Sequence, residues 1–513
     1  MEFLSAWSSL LGGFERMMDP HLLLMCFIGT FAGTLVGVLP GLGPAAAVAI
    51  LLPMTYGADP LSALVGMAGV YYGAMYGGTI TSVLLNVPGE SASVVTTFDG
   101  YPLAKQGRGG LALGLAAIGS LAAGTIGLIL LTLMAVPLAR AALSFGPPEY
   151  FAVMLLAFTL VSALSSESIL KAGLSLFLGL LLCTVGQDVV SGTPRLTFGS
   201  MELLDGVNFL PAVVGMFGLA EVMQGVIHRS EFALAGRTKL KLKSIFPSPS
   251  DLRETYGSIL RGGFLGFIFG LLPGTGATVA SFMSYGVERR LSKTPEKFGH
   301  GALQGVAGPE SANNSASSGE FVPLLALGIP GSATTAVLIG AFVLLGIQPG
   351  PRLFAEHPDI AWGLIASLYV GNVMLFVQNT AMIPFFVWLL MVSQRCLPVV
   401  VASLCFIGVY SINNVMSDVW MMLAFAALGY IFKICNIPPA PLIIALVLGP
   451  AAENALRQSL VISMGSPWIF FLRPISAGLL VLAAGSFFLP MLQSLLIRRV
   501  APVEATMFTP ENK

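Results

Sequence analysis

Residues 262–287 read GGFLGFIFGLLPGTGATVASFMSYGV, twenty-six positions without a charged side chain. A helix needs about 20 mostly apolar residues to cross the hydrocarbon of a bilayer, so this run is long enough to enter one. Leu272-Pro273-Gly274-Thr275-Gly276 breaks it near the middle. Basic residues flank it on both sides: Arg253 and Arg261 before it, Arg289, Arg290, Lys293 and Lys297 after it. Basic loops stay in the cytoplasm. Both flanks share that side only if the run enters the membrane and returns, turning near Pro273-Gly274.

Outward from this run the pattern repeats. Uncharged stretches also cover 20–58, 60–89, 111–139, 150–166, 172–187, 206–220, 321–351, 360–394, 396–417, 434–452 and 474–497. One such stretch suits a buried helix of a soluble protein; a dozen do not. Of 513 residues only 10% are charged, with Lys+Arg 25 against Asp+Glu 25, where a soluble domain carries about a quarter. Hydrophobic residues make up 55% and the mean hydropathy is +0.86. This composition rules out disorder and argues against a soluble enzyme. The zero net charge gives no reason to expect a nucleic-acid partner. Cys26, Cys183, Cys396, Cys405 and Cys435 sit in apolar runs without metal or disulfide spacing, and read as small hydrophobes. The fold class is therefore an all-α polytopic membrane protein with about 10–12 transmembrane helices. It forms two homologous halves with Gly/Pro-broken or re-entrant helices, and little strand, since open sheet edges cannot face lipid.

The division expected is an N-terminal interfacial segment 1–19, a first membrane repeat 20–227, a basic cytoplasmic linker 228–261, a second repeat 262–497 and a C-terminal tail 498–513. The repeat rests on two motifs. Gly33, Gly37, Pro40, Gly41 and Gly43 recur as Gly266, Gly270, Pro273, Gly274 and Gly276 at an offset of 233. Asn86-Val87-Pro88-Gly89-Glu90 recurs as Gly328-Ile329-Pro330-Gly331-Ser332 at 242. Breaking a helix inside the membrane leaves backbone groups unpaired, at several kcal/mol each unless something satisfies them. Such breaks persist where they line a polar cavity, and paired breaks in duplicated halves point to a transporter's binding site.

Between the second-half motifs lies Gly308-Pro-Glu-Ser-Ala-Asn313-Asn314-Ser-Ala-Ser317-Ser318-Gly-Glu320. As a helix it sets Asn313 over Ser317 and Asn314 over Ser318, offering neutral donors to a carboxylate and oxygens to Na⁺. Thr79, Thr81, Asn86 and Ser91 offer the same in the first half. The candidate substrate and ion site is thus Pro40, Gly41, Gly43, Thr79, Thr81, Asn86, Pro88, Gly89, Ser91, Pro273, Gly274, Thr275, Gly276, Asn313, Asn314, Pro330, Gly331 and Ser332. A candidate Na⁺ site lies near Asn313 and Asn314, with no structural metal and no cofactor. Asn313, Asn314, Thr275, Ser332, Thr79, Asn86 and Ser91 are expected to line one shared cavity. Glu90, Asp99 and Glu320 bound uncharged regions and read either as groups titrating with a coupling proton or as solvated ends. Arg352 and Arg473 read as interfacial. No arginine lies inside the motifs, so an anion would be held mainly by helix ends and neutral donors.

These strings resemble a known family. Gly29-Thr30, Leu39-Pro-Gly-Leu-Gly-Pro44, Tyr76-Gly-Gly-Thr-Ile80, Asn86-Val-Pro-Gly-Glu90 and Asp99-Gly-Tyr-Pro102 carry the likeness in the first half. Leu272-Pro-Gly-Thr-Gly-Ala277, Ser292-Lys-Thr-Pro-Glu-Lys-Phe-Gly299, Pro309-Glu-Ser-Ala-Asn-Asn314 and Gly328-Ile-Pro-Gly331 carry it in the second. Together they are similar to the large membrane (permease) subunit, the TctA family, of the tripartite tricarboxylate transporters, over about 20–500. Gln304 departs from the family pattern, which has an acidic residue there, and Gly308 and Ser315 stand where Ala is frequent. The resemblance implies a multi-pass bacterial inner-membrane permease. Its implied partners are a small four-span membrane subunit and a periplasmic solute-binding protein that captures carboxylates. The expected function is secondary active uptake of small organic di- or tricarboxylates, coupled to Na⁺ or H⁺ rather than ATP. The alternative is a carboxylate channel or exporter on the same repeated core. An enzyme is not expected, since H-E-x-x-H, G-x-S-x-G and Walker A motifs are all missing.

Overall fold

The computed structural model describes residues 2–39, 43–55, 57–164, 168–188, 192–227, 245–274, 276–386, 388 and 397–486. Of the residues discussed above, Pro40, Gly41, Leu42, Thr275, Cys396, most of the basic linker and the C-terminal tail lie outside that set.

The described chain is α-helical, its strands being one antiparallel ribbon of Gly186–Gln187 with Pro194–Arg195. Five helices are long and apolar enough to cross a membrane: Pro20–Gly37, Gly109–Ala142, Pro358–Ala381, Met416–Ile434 and Ala440–Ile462. Seven shorter apolar helical segments of 10–17 residues accompany them. The protein is an all-α polytopic membrane protein.

Charges that bound the uncharged runs act as helix caps. Asp19 accepts from the His21 N–H at 2.9 Å and Asp59 from the Ser62 N–H at 3.1 Å. In each case Pro occupies the first helical position, where its missing donor costs nothing. The same logic starts Pro249–Gly270, whose N-cap Ser248 forms a capping box with Asp251. The helix of the 262–287 run thus begins thirteen residues earlier than the uncharged stretch, because its first turns are charged.

Small residues set the closest crossings. A Cβ on Gly29, Gly33 or Gly37 would overlap the carbonyl oxygens of Gly66, Val70 and Ala74 on the helix Pro60–Leu85. A Cβ on Gly262, Gly266 or Gly270 would overlap those of Gly308, Ala312 and Ala316 on Gln304–Gly319. Every member of the first crossing maps onto the second at the offsets 233 and 242. The exits match too: Asn86 (φ 58) ends Pro60–Leu85 and Gly328 (φ 70) ends Phe321–Leu327, both left-handed. With little hydrophobic driving force between helices in lipid, close backbone contact of this kind supplies dispersion energy that larger side chains would block.

The 262–287 run is a hairpin. Pro249–Gly270 descends to the Pro273-Gly274 break and Gly276–Leu291 returns beside it. The Arg261 guanidinium reaches Glu288 at 2.8 and 2.7 Å, and the Ser258 hydroxyl donates to the same carboxylate at 2.5 Å. At this open end several turns meet. Arg108 lies 3.8 Å from Asp251, and the Gln304 amide donates to Glu254 at 3.0 Å. Asp99 Oδ1 accepts the N–H groups of Gly299, Gly301 and Ala302, each at 2.8 Å. Asp99 is wholly buried; it is a fastening for the turn before Gln304–Gly319 rather than a solvated end. The N-terminal helix Glu2–Met17 lies against Pro358–Ala381, with Arg16 paired to Asp359 at 2.7 Å.

Candidate functional site

The Pro-Gly breaks of the two halves open onto one cavity of about 610 Å³. Four helices begin at its wall: Pro44–Leu51, Gly276–Leu291, Ala333–Leu344 and Ala440–Ile462. The first N–H groups of a helix have no intrahelical acceptor and carry the positive end of its dipole. Gathering four such ends around one space favours an anion there. Lys433, in the last turn of Met416–Ile434, is the cationic side chain lining the cavity among the described residues. It pairs with Glu221 and donates to Gln224 Oε1 at 2.8 Å.

Two further carboxylates face the cavity, one from each half. Glu320 accepts the Tyr71 hydroxyl at 2.8 Å and the Ser332 hydroxyl at 2.5 Å. Glu90 accepts the Asn313 amide at 2.9 Å. Neither has a cation within ion-pair distance among the described residues. Ser91 of the first half and Thr278 of the second close the wall with a 2.8 Å hydroxyl–hydroxyl contact. Gly274 N–H donates to Gly331 O at 2.8 Å, tying the two second-half breaks together.

Of the residues expected at the site, Gly43, Pro88, Gly89, Ser91, Gly274, Gly276 and Ser332 line the cavity. The shared lining expected for Asn313, Asn314, Thr79 and Asn86 is not what the structure has. Thr79 donates to Glu310 at 2.7 Å, and Asn86 is a left-handed helix cap. Thr81 bonds back to Gly78 O at 3.1 Å on its own helix. Consecutive helical residues point about 100° apart, so the neighbouring amides part company. Asn313 reaches Glu90, whereas Asn314 turns to Ser120 at 2.6 Å. The two side chains therefore take different partners, one in each direction across the helix. Pro273, Pro330 and Gly331 shape the breaks behind the wall.

Sequence reasoning missed Lys433, Glu221 and Glu310. Lys433 stands one residue before an uncharged stretch and reads as its boundary. Glu310 was legible: with Asn313, Ser317 and Glu320 it follows a 3-4-3 spacing, one stripe of a helix. Lys433 adds a cationic side chain to the wall, already paired with Glu221, beyond the helix ends and neutral donors that the motifs alone offered.

A second, smaller cavity of about 190 Å³ lies by the ribbon. There Arg195 and Arg457 are both matched by Asp188 and Glu453, at 2.7–3.5 Å. Each guanidinium is ion-paired, while the buried Arg195 Nε has no hydrogen-bond partner among the described residues.

Comparison with known proteins decides the assignment: residues 23–444 match the model of the tripartite tricarboxylate transporter TctA family. The chain belongs to the TctA family. A relative from Agrobacterium vitis, described as an uncharacterized 52.8 kDa protein in the TAR-I ttuC' 3' region, is 44% identical over 492 residues. That match covers 96% of this chain and 97% of the relative. A second A. vitis protein, from the TAR-II ttuC' 3' region, is 44% identical over 234 residues, 46% of this chain and 97% of its own length. No solved structure matches. As a TctA-family chain, the protein is a transporter component and not an enzyme.

Proposed function

We propose that this chain is the permease of a binding-protein-dependent importer that carries small organic di- or tricarboxylates inward together with a cation, Na⁺ or H⁺. One observation carries the reading: four helix starts and Lys433 surround a cavity formed where both halves break. The charge of that cavity supports the coupling. Glu90, Glu221 and Glu320 face one ammonium, so an anion enters a low-dielectric space already in negative excess unless cations neutralise carboxylates first. The family supports the remaining parts: a small four-span membrane subunit, a periplasmic solute-binding protein and the bacterial inner membrane. The basic end formed by residues 105–108, 249–254 and 289–304 faces the cytoplasm, and the matched glycine crossings support a reading of the chain as duplicated halves.

The test is co-reconstitution of the chain with its small subunit and binding protein in proteoliposomes. Labelled citrate or succinate is expected to exchange saturably, and to accumulate only under an inward cation gradient. Flux that never saturates and needs no gradient for net entry would make the protein a channel instead.

A further inference from the structure

We propose that the coupling ion is the proton, that Glu320 and Glu90 accept it in the cavity, and that Glu310 passes it on toward the basic end. This rests on the transport reading above and deepens it.

Two of the carboxylates, Glu310 and Glu320, lie along one helix and the third, Glu90, docks onto it. Glu310, Asn313, Ser317 and Glu320 share a stripe of Gln304–Gly319 and its continuation, about 15 Å from end to end at 1.5 Å per residue. The stripe faces Pro60–Leu85, which supplies Tyr71 to Glu320 and Thr79 to Glu310. Asn313 brings Glu90 to the middle of it. Glu320 and Glu90 line the cavity; Glu310, only 1% exposed, does not. Glu310 sits nearer the Asp99-fastened turn at the basic end.

The partners suit protons better than Na⁺. Sodium needs several oxygen lone pairs aimed at one point. Here hydroxyls and an amide donate into the carboxylates: Tyr71 and Ser332 to Glu320, Thr79 and Thr96 to Glu310, Asn313 to Glu90. One atom adds an independent sign. Asn313 Oδ1 is fully buried and has no hydrogen-bond partner. The amide already donates to Glu90, so its free oxygen is the acceptor that a protonated Glu90 carboxyl needs, and an ionised one does not.

Among the described residues no cationic side chain lies within ion-pair distance of these three carboxylates, and only hydroxyl, amide and helix-start N–H groups face them. Pro60–Leu85 presents Tyr71, Tyr72 and Tyr76, and Gly109–Ala142 presents Ser120. Asp99 is engaged by backbone N–H groups and Glu288 by Arg261. Across the cavity Lys433 is paired with Glu221. A proton taken from periplasmic water onto Glu320 or Glu90 cancels a negative charge as the anion arrives. Released through Glu310 into cytoplasmic water, it restores the carboxylate, and no bond but O–H is broken or made.

The experiment compares wild type with Glu310→Gln in proteoliposomes holding the complete tripartite complex. Counterflow of labelled carboxylate at equal pH needs no net proton movement. Accumulation under an inward pH gradient does. The expected result is counterflow within about twofold of wild type and accumulation reduced at least tenfold, with Glu310→Asp restoring accumulation over a shifted pH range. Counterflow also reports that the variant is folded. Accumulation by Glu310→Gln equal to wild type would overturn the proposal, as would wild-type accumulation driven by a Na⁺ gradient without co-entry of acid. A wild type with no counterflow would instead sink the transport reading itself.

Discussion

Replacing Lys433 with Ala raises the half-saturating carboxylate concentration about ten- to a hundredfold, the worth of one charge-assisted hydrogen bond of roughly 1.5–3 kcal/mol. Lys433 is the cationic side chain on the cavity wall among the described residues, so no neighbour replaces it. The variant also strands Glu221, whose side chain is only 17% exposed, and an unpaired buried carboxylate is costly in its own right. Lys433→Ala with Glu221→Gln separates the two effects. The double variant regains folded protein, because the stranded charge is gone, yet keeps the weak half-saturation. Wild-type uptake by Lys433→Ala at low substrate would remove Lys433 from the site.

Gly274→Ala is expected to cut the yield of folded protein at least tenfold. Gly274 has φ +83, and an added Cβ would lie 2.5 Å from Val161 Cα and 2.7 Å from Val161 N. The left-handed conformation costs a non-glycine residue about 1–2 kcal/mol, and forcing backbone apart adds about 1–3 kcal/mol. Together these come to about 2–5 kcal/mol, at most the lower end of the roughly 5–15 kcal/mol that keeps a domain folded. Gly286→Ala is the control. Nothing lies within 4 Å of its Cβ position and it sits inside Gly276–Leu291, where Ala is the better helix former. Monodisperse protein after detergent extraction, compared for the two variants, checks the expectation; equal yields would show that the hairpin turn tolerates rearrangement.

The fold was largely readable because its deciding features are local. An uncharged run, a Pro-Gly break and basic flanks at 253–261 and 289–297 imply a hairpin without reference to any other segment. The glycine spacing at 29, 33 and 37, repeated at 262, 266 and 270, marks the close crossings as plainly. The site was readable only where the breaks themselves form it. Gly43, Gly276, Ser91 and Ser332 line the cavity because they stand at or beside helix starts, which fix their own surroundings. Side chains on intact helices were not, since the side of the helix they take depends on a partner far along the chain. Asn314 went to Ser120, 194 residues away, and Thr79 to Glu310, 231 residues away. Lys433 escaped because a single charge at the end of an apolar helix is usually a snorkelling anchor, and only tertiary packing turns this one inward.

The most direct test asks whether a carboxylate occupies the cavity. Ser91 is exposed on its wall, while Gln187 lies at the smaller ribbon cavity where every arginine is already paired. In a background with the five native cysteines replaced, Ser91→Cys and Gln187→Cys are each treated with a thiol-specific reagent in the reconstituted complex, with and without citrate or succinate. Substrate should slow modification of Ser91→Cys at least tenfold and leave Gln187→Cys unchanged. Protection at Gln187→Cys with none at Ser91→Cys would place the substrate elsewhere and contradict the assignment of the cavity.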